Sequence, residues 1–495
     1  MIPYAEQHFK FRLPWSPLSR HRPEMIVDAP CQVAFGKQAP LWLVVRDAHM
    51  YPRRLREVRV TVRVGGQLHR QDQKFDLELN APFHFITLPW PGPEIAGENL
   101  LDVVFQVEDR KGRREVFKNH SLPGLSDASL RVLRMGCESP LPKGWASGDL
   151  HCHTTWSQDP VEFGGDPQMM REAANALGLD FFAATDHSYD FAWDASDYTL
   201  PSNPEQAFAR FRQSLPPDMP GEAVVLPAEE VSCGNHRGEN VHLLVMDHPE
   251  YLPGQGDGGR RWFENRPDLA LSDVLARTLA SGAPTFAAHP LPGISSLQRK
   301  VFRRGDYHPE DMHPGLTGLQ FWNGHTGRDF QQGKDFWVRQ AMAGKLLRPG
   351  AGNDAHGDLN RSTYVKIPLL RLGQSTNHRF GFARTCLFLG EGAAVERASV
   401  RQAMKNAPLF LTDGPYLWID AHGALSARST PEFGSWTEIV IHARVGDQEV
   451  PVHRESSGAI ELHRRLDLPA GTRWVRAEGR TSLGRTALTQ MVSLE

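Results

Sequence analysis

Cysteine is scarce in this chain. Its 495 residues include five, Cys31, Cys137, Cys152, Cys233 and Cys386. The number is odd, the spacing irregular, and no Cys-x-x-Cys occurs. These absences argue against a disulfide framework or a thiolate zinc site and fit a reducing compartment. A long apolar run is also missing, so no segment is expected to span a bilayer. The first twenty residues carry Glu6, Lys10 and Arg12 among prolines and aromatics, without the apolar stretch of a secretory leader. A cytoplasmic protein with no membrane partner is expected. Charge of one sign is lacking too. Lys and Arg number 55 against 58 Asp and Glu, a formal net charge of −3. A nucleic-acid partner would call for a basic excess, and none is present. Arg53-Arg54, Arg113-Arg114 and Arg303-Arg304 are short and scattered. No internal repeat or low-complexity tract is apparent.

What is present is the apolar content of a globular protein, in a chain long enough for two to three domains. Residues 1–24 read as an irregular arm with four prolines. Residues 25–140 read as strands. Val58, Val60, Val62 and Val64 alternate with polar residues and run into a Gly65-Gly66 turn, which predicts a half-buried strand in an immunoglobulin-like β-sandwich. From 146 to 415 short apolar strands alternate with helical stretches, the signature of βα units. Asp166, Pro167 and Gly178 predict the first helix. Seven strand candidates fall at 148–153, 179–187, 222–230, 241–246, 285–290, 318–324 and 348–356. Seven βα repeats reach the scale of a barrel, whose chemistry sits at the C-terminal strand ends. Residues 416–495 read as a small β domain.

Most of these strands carry His, Asp or Glu at an end. His151 and His153 sit two apart and share a strand face. His187, Glu229-Glu230, His242, His289, and Asp354 with His356 follow in order. Any one of them alone is as well explained by an ordinary hydrogen-bonded side chain. Asp159 also fits a turn, in the run Ser157-Gln158-Asp159-Pro160. Together, polar groups at the ends of buried strands call for pairing, protonation or a metal. Imidazoles with carboxylates suit Zn, Mn or Fe. Long segments after the strands carry Trp156, Trp193, Trp262 and Trp322, with Arg260, Arg261, Arg303, Arg304 and Arg361. Loops of this length usually shape a site.

The ordered set Asp149-Leu150-His151-Cys152-His153, Thr185-Asp186-His187, Glu230 with His242, Ala288-His289-Pro290 and Asp354-Ala355-His356 resembles the PHP (polymerase and histidinol phosphatase) superfamily of metal-dependent hydrolases. Phe410-Leu411-Thr412-Asp413-Gly414-Pro415 and the flanking β regions are similar to its carbaryl-hydrolase-like branch. The resemblance implies an α/β fold, a distorted (β/α)7 TIM-like barrel between an N-terminal β-sandwich and a small C-terminal β domain. It implies two or three divalent ions per chain (Zn, Mn or Fe). Their ligands would be His151, His153, Asp159, His187, Glu230, His242, His289, Asp354 and His356. Many relatives have His where Asp159 stands. The register of the resemblance selects Glu230 over Glu229.

The function expected from this set is hydrolysis by a di- or trinuclear centre with a metal-bridging hydroxide. Phosphoesters are the first expectation. Glu230 would hold the bridge, Asp354 would steer the hydroxide, and Arg361 or Arg304 would neutralise the phosphate. The alternatives are a carboxylic or carbamate ester substrate on the same site, and a non-catalytic, metal-stabilised binding protein. The expected partner is a small-molecule ester, with a homo-oligomer allowed.

Overall fold

The computed structural model describes residues 21–157, 164–194, 200–256, 265–294, 299–300, 303–357, 359–367 and 371–494. Residues 1–20 of the arm expected over 1–24 lie outside the described residues, as do Asp159, Arg260, Arg261 and Trp262.

The N-terminal region folds because its strands alternate. Val58, Val60, Val62 and Val64 on Arg53–Val64 are buried. They meet Leu101, Val103, Phe105 and Val107 of the neighbouring strand Gly97–Glu108 in one core. Gly65 and Gly66 have φ of 57° and 78°. Positive φ at both positions is what a two-residue turn that preserves strand twist requires. A second sheet of Glu24–Asp28, Trp42–Arg46 and Phe83–Thr87 covers the same core through Met25, Val27, Leu43 and Val45.

The central region is where expectation and structure part. Strands hold 42% of the chain and helices 15%, which makes the molecule mostly β. The expected (β/α)7 TIM-like barrel is therefore corrected. Val224–Gly234 and Asn240–Met246 form an antiparallel hairpin, with no helix between them. Thr285–Ala288 then pairs antiparallel to Asn240–Met246. The segment after His356 forms the hairpin Ser362–Ile367 with Arg371–Ser375. Nor does the sheet stop at the central region. Trp145–His153 pairs antiparallel with Arg384–Phe388, which leads through Leu409–Thr412 to Thr486–Thr489 and the C-terminal strands. One 15-stranded sheet thus spans both regions.

Helices cover the central sheet where the sequence supplies their signals. Asp166 caps Pro167–Leu177 by accepting from the Gln168 and Met169 N–H groups, and Gly178 ends it at φ 69°. Pro204–Ser214, Leu271–Ser281, Arg328–Met342 and Arg397–Asn406 follow. No helix among the described residues is long and apolar enough to cross a membrane.

The sheet curls until its far end meets its first central strand. The Asn353 and Asp354 N–H groups donate to the His151 carbonyl at 3.2 and 2.7 Å. Cys152 and His153 pair in parallel with Ala355 and His356.

The N-terminal sandwich grips the chain just beyond this closure. Asp28 accepts from the Leu359 N–H at 2.9 Å, and the Asn360 amide donates to the Arg131 carbonyl at 2.8 Å. Burial raises the Asp28 carboxyl to about 7, against the pull of the Leu359 and Ala29 N–H groups and the Arg361 charge. An unfolded aspartate titrates near 4. Between those values the folded chain binds more protons at this position than the unfolded chain. Stability contributed by Asp28 is therefore greatest at the acid end of the window and falls as pH rises from about 4 to about 7. Asp28→Asn should flatten that part of the profile of unfolding free energy against pH, by about 1.4 kcal/mol for each pKa unit removed. Urea denaturation across the window reads this difference, and identical slopes for the two proteins would contradict it.

Candidate metal centre

The closure brings six strand ends to one place. His151 and His153 project to one side of Trp145–His153 because side chains alternate along a strand. His187 ends Phe181–His187 and lies opposite Glu230 of Val224–Gly234 in the parallel register. His242 stands opposite Ser232 on the next strand. His289 follows Thr285–Ala288, and Asp354 follows Arg348–Gly352. These last two residues have left-handed backbones, with φ of 31° and 53°. Backbone strain of this kind is concentrated at functional sites.

Glu230 is the hub. Its Oε1 lies 2.6 Å from His242 Nδ1, 3.2 Å from His289 Nε2 and 3.3 Å from His151 Nε2. Its Oε2 lies 2.9 Å from His187 Nδ1 and 3.5 Å from His153 Nε2. Asp354 Oδ1 adds contacts of 3.3 Å to His151 and 3.2 Å to His153. Among the described residues three groups of ligand atoms result, each with members within 4.8 Å of one another: His153, His187 and His356; His151, His153, Glu230 and Asp354; Glu230, His242 and His289.

The donor geometry suits cations better than protons. His151 Nε2 and His153 Nε2 are 3.2 Å apart, and His356 Nε2 and His187 Nε2 are 3.3 Å apart. One proton between two such nitrogens satisfies only that pair. Ligand bonds of about 2.1 Å give edges of about 3.0 Å in an octahedron and about 3.4 Å in a tetrahedron. The observed separations fall between these values.

Electrostatics point the same way. Burial pushes His153 down to about 4, with His187 adding to the effect. Burial and the neighbouring His153 hold His356 well below its usual value. Both rings are therefore neutral at pH 7 and able to ligate. Burial opposes the ionisation of Glu230 and Asp354, but the surrounding imidazoles prevail and hold both carboxyls well below their usual range. His151 moves up to about 9, because Asp354 and Glu230 outweigh its burial.

Residues that sequence reasoning did not assign orient these groups. Ser157 Oγ lies 3.0 Å from His153 Nδ1 and accepts from the His187 N–H at 3.1 Å. Gln320 Oε1 is 3.3 Å from His151 Nδ1 and accepts from the His289 N–H at 3.1 Å. The Asn323 amide donates to Asp354 Oδ2 at 3.1 Å. Such partners fix ring orientation and tautomer. Gln320 and Asn323 lie on the sixth candidate strand, the one to which no ligand was assigned. Their polar side chains amid Leu319, Phe321 and Trp322 were the available signal.

Asp149 ties the strand ends together. Its Oδ1 accepts from the His151 and Asn353 N–H groups at 3.1 and 3.0 Å. Its Oδ2 accepts from the Asn353 amide at 2.7 Å and the Gly381 N–H at 2.9 Å. Asp186 turns away from the hub and binds the Thr154 N–H and hydroxyl at 2.8 and 2.9 Å. Glu229 also faces away, with its Oε2 accepting from the Ser188 hydroxyl at 3.2 Å.

The structure thus brings together His151, His153, His187, Glu230, His242, His289, Asp354 and His356. Asp159 lies outside the described residues. Arg361 requires correction as a candidate catalytic residue. Its guanidinium donates to the Ala128 carbonyl at 3.2 Å and to Gln374 at 3.4 Å, so it serves the contact with the N-terminal sandwich. Arg304 does reach the cluster, with Nη1 2.6 Å from His242 Nε2. Trp156 packs on Phe191 and Phe211, and Trp322 is buried against Phe330, so both are packing residues.

No known family model matches the chain. No curated protein matches it either. Among solved structures, a β-glucuronidase from Bacteroides uniformis matches at 12% identity and a TM-score of 0.19, over 95% of this chain and 60% of that one. A β-glucuronidase from Parabacteroides merdae matches at 9% identity and a TM-score of 0.19, over 95% of this chain and 65% of that one. The chain thus spans less than two thirds of these proteins, and a likeness at that TM-score carries no argument about its chemistry. Membership of the PHP superfamily is corrected accordingly. No family model and no curated protein returns a member, and the solved structures named above are β-glucuronidases. The expectations of phosphoester hydrolysis, of a carboxylic or carbamate ester substrate, and of a non-catalytic binding protein are withdrawn with it.

Asp149 offers the sharpest test of how the site is held. Asp149→Asn would replace an acceptor with an NH₂ group facing N–H donors. It should lower the unfolding free energy by about 1–3 kcal/mol, the cost of buried donors left unsatisfied. Equilibrium denaturation checks this, and an unchanged midpoint would contradict the role given to Asp149.

Proposed function

We propose that this chain is a hydrolase built around a cluster of two or three divalent ions (Zn, Mn or Fe). The observation that carries the reading is the set of five imidazoles converging on the buried Glu230 carboxylate, with nitrogen pairs 3.2 and 3.3 Å apart. His153, His187 and His356 would hold one ion. His151, Asp354 and Glu230 would hold a second, and His242 and His289, with Glu230, a third; His153 has one lone pair to give and would serve only one of the first two. The chemistry such ions supply when bound is Lewis-acid polarisation of a substrate oxygen and a lowered pKa for water.

The chain's own groups do the rest. Glu230 belongs to two of the three donor groups and so fixes their spacing. Asp354 is oriented by Asn323, and its ionised Oδ1 can accept a hydrogen bond from water. A small hollow lined by His242, His289, Pro290 and Arg304 adjoins the cluster. The pair Glu230 and Asp354 does not suit a two-carboxylate glycosidase, which needs one carboxyl held protonated. Both are held ionised.

Metal analysis of the purified protein should find two to three ions per chain. Within a panel of chromogenic substrates that spans hydrolysable bond classes and includes β-glucuronides, hydrolysis should stop on chelation and return with metal. Glu230→Gln should lower metal content and reduce kcat/KM by about 10²-fold or more. Less than one ion per chain would overturn the reading, as would hydrolysis that survives complete chelation.

A further inference from the structure

The contact between Arg304 and His242 is unexpected at a cation site. Arg304 Nη1 lies 2.6 Å from His242 Nε2. A guanidinium has only donors, so Nε2 must be the acceptor and the ring proton must sit on Nδ1. That proton points at Glu230 Oε1, 2.6 Å away. His242 is thereby committed on both sides, accepting from Arg304 and donating to Glu230.

A metal ligand nitrogen must be deprotonated. If Nδ1 ligates, the proton moves to Nε2 and meets the Arg304 N–H head on. If Nε2 ligates, Arg304 already occupies its lone pair. Either way, filling the position made by Glu230, His242 and His289 requires the guanidinium to leave. Arg304 lines a small hollow with Asn240, His242, His289 and Tyr307 that opens to solvent, the direction in which the guanidinium can withdraw. The backbone around it stays pinned, since the Gly305 N–H donates to the Asn240 carbonyl at 2.8 Å. The Tyr307 hydroxyl donates to the His242 carbonyl at 2.7 Å.

We propose that Arg304 is a built-in competitor for divalent cations at the Glu230–His242–His289 position. This position is consequently the weakest of the three and fills last. The inference rests on the metal-centre reading above and adds an order of filling and a residue that sets it.

The test is a titration of metal-free, full-length protein with Mn²⁺, followed by calorimetry and by chelator competition. Wild type should show a weak class of site. Arg304→Met should tighten that class by about tenfold or more, the scale on which groups bonded to ligands tune metal affinity. The tighter classes should stay within about twofold. Adding His242→Gln to Arg304→Met should abolish the gain. A weak class that is unchanged or weaker in Arg304→Met would overturn the inference and leave the metal centre standing. Absence of any bound Mn²⁺ would overturn both. A ¹⁵N spectrum of the histidine rings tests the idea without a variant. Metal-free wild type should show His242 with its proton on Nδ1. A proton on Nε2 would overturn the proposal.

Discussion

Glu230 is a carboxylate with no exposure to water, and that burial governs the structure around it. An isolated buried charge is costly, and proteins accept one only with partners that neutralise it and satisfy its oxygens. Glu230 has five imidazoles within 3.5 Å. Protons on those rings can serve as the positive charge, as the elevated His151 illustrates. They cannot serve everywhere, because burial keeps His153 and His356 neutral. The cluster therefore offers more lone pairs than protons can occupy. Small divalent cations would resolve that excess, and the proposed function rests on it.

Holding such a cluster takes a fold that leaves its members little freedom. The curled sheet brings the strand bearing His151 and His153 against the turn that carries Asp354 and His356. Asp149 clamps both with four accepted hydrogen bonds. Ser157, Gln320 and Asn323 set the directions of the rings and of the Asp354 carboxylate. Further out, the N-terminal sandwich holds the segment beyond His356 through Asp28 and Asn360. The left-handed backbones at His289 and Asp354 show that side-chain placement overrides local backbone preference here.

Parts of this arrangement were legible in the sequence for simple reasons. His151 and His153, two apart on one strand, had to share a face. The same parity separates Glu230 from Glu229, although it cannot say which faces inward. Less was legible where pairing depends on distant segments. The hairpin of Val224–Gly234 with Asn240–Met246 replaces an expected crossover, because the five residues between them are too few for a helix. The continuation of the sheet through Arg384–Phe388 into the C-terminal strands joins segments about a hundred residues apart, and no local pattern encodes it. Arg361 reads as a rim residue only if the segment after His356 is a loop over the site. Once that segment forms a hairpin against the sandwich, Arg361 goes with it. Gln320 and Asn323 were overlooked because amides on an apolar strand also read as satisfied core polar groups.

The central claim is that these donors exist to hold cations close together. Anomalous diffraction from crystals of protein purified without chelator, collected on both sides of the absorption edge of the metal found in solution, tests it most directly. The account predicts two or three peaks, each enclosed by one of the three donor groups, with Glu230 adjoining at least two. Density explained by hydrogen-bonded side chains and water alone, with no anomalous peak between the His151, His187 and His289 rings, would contradict it.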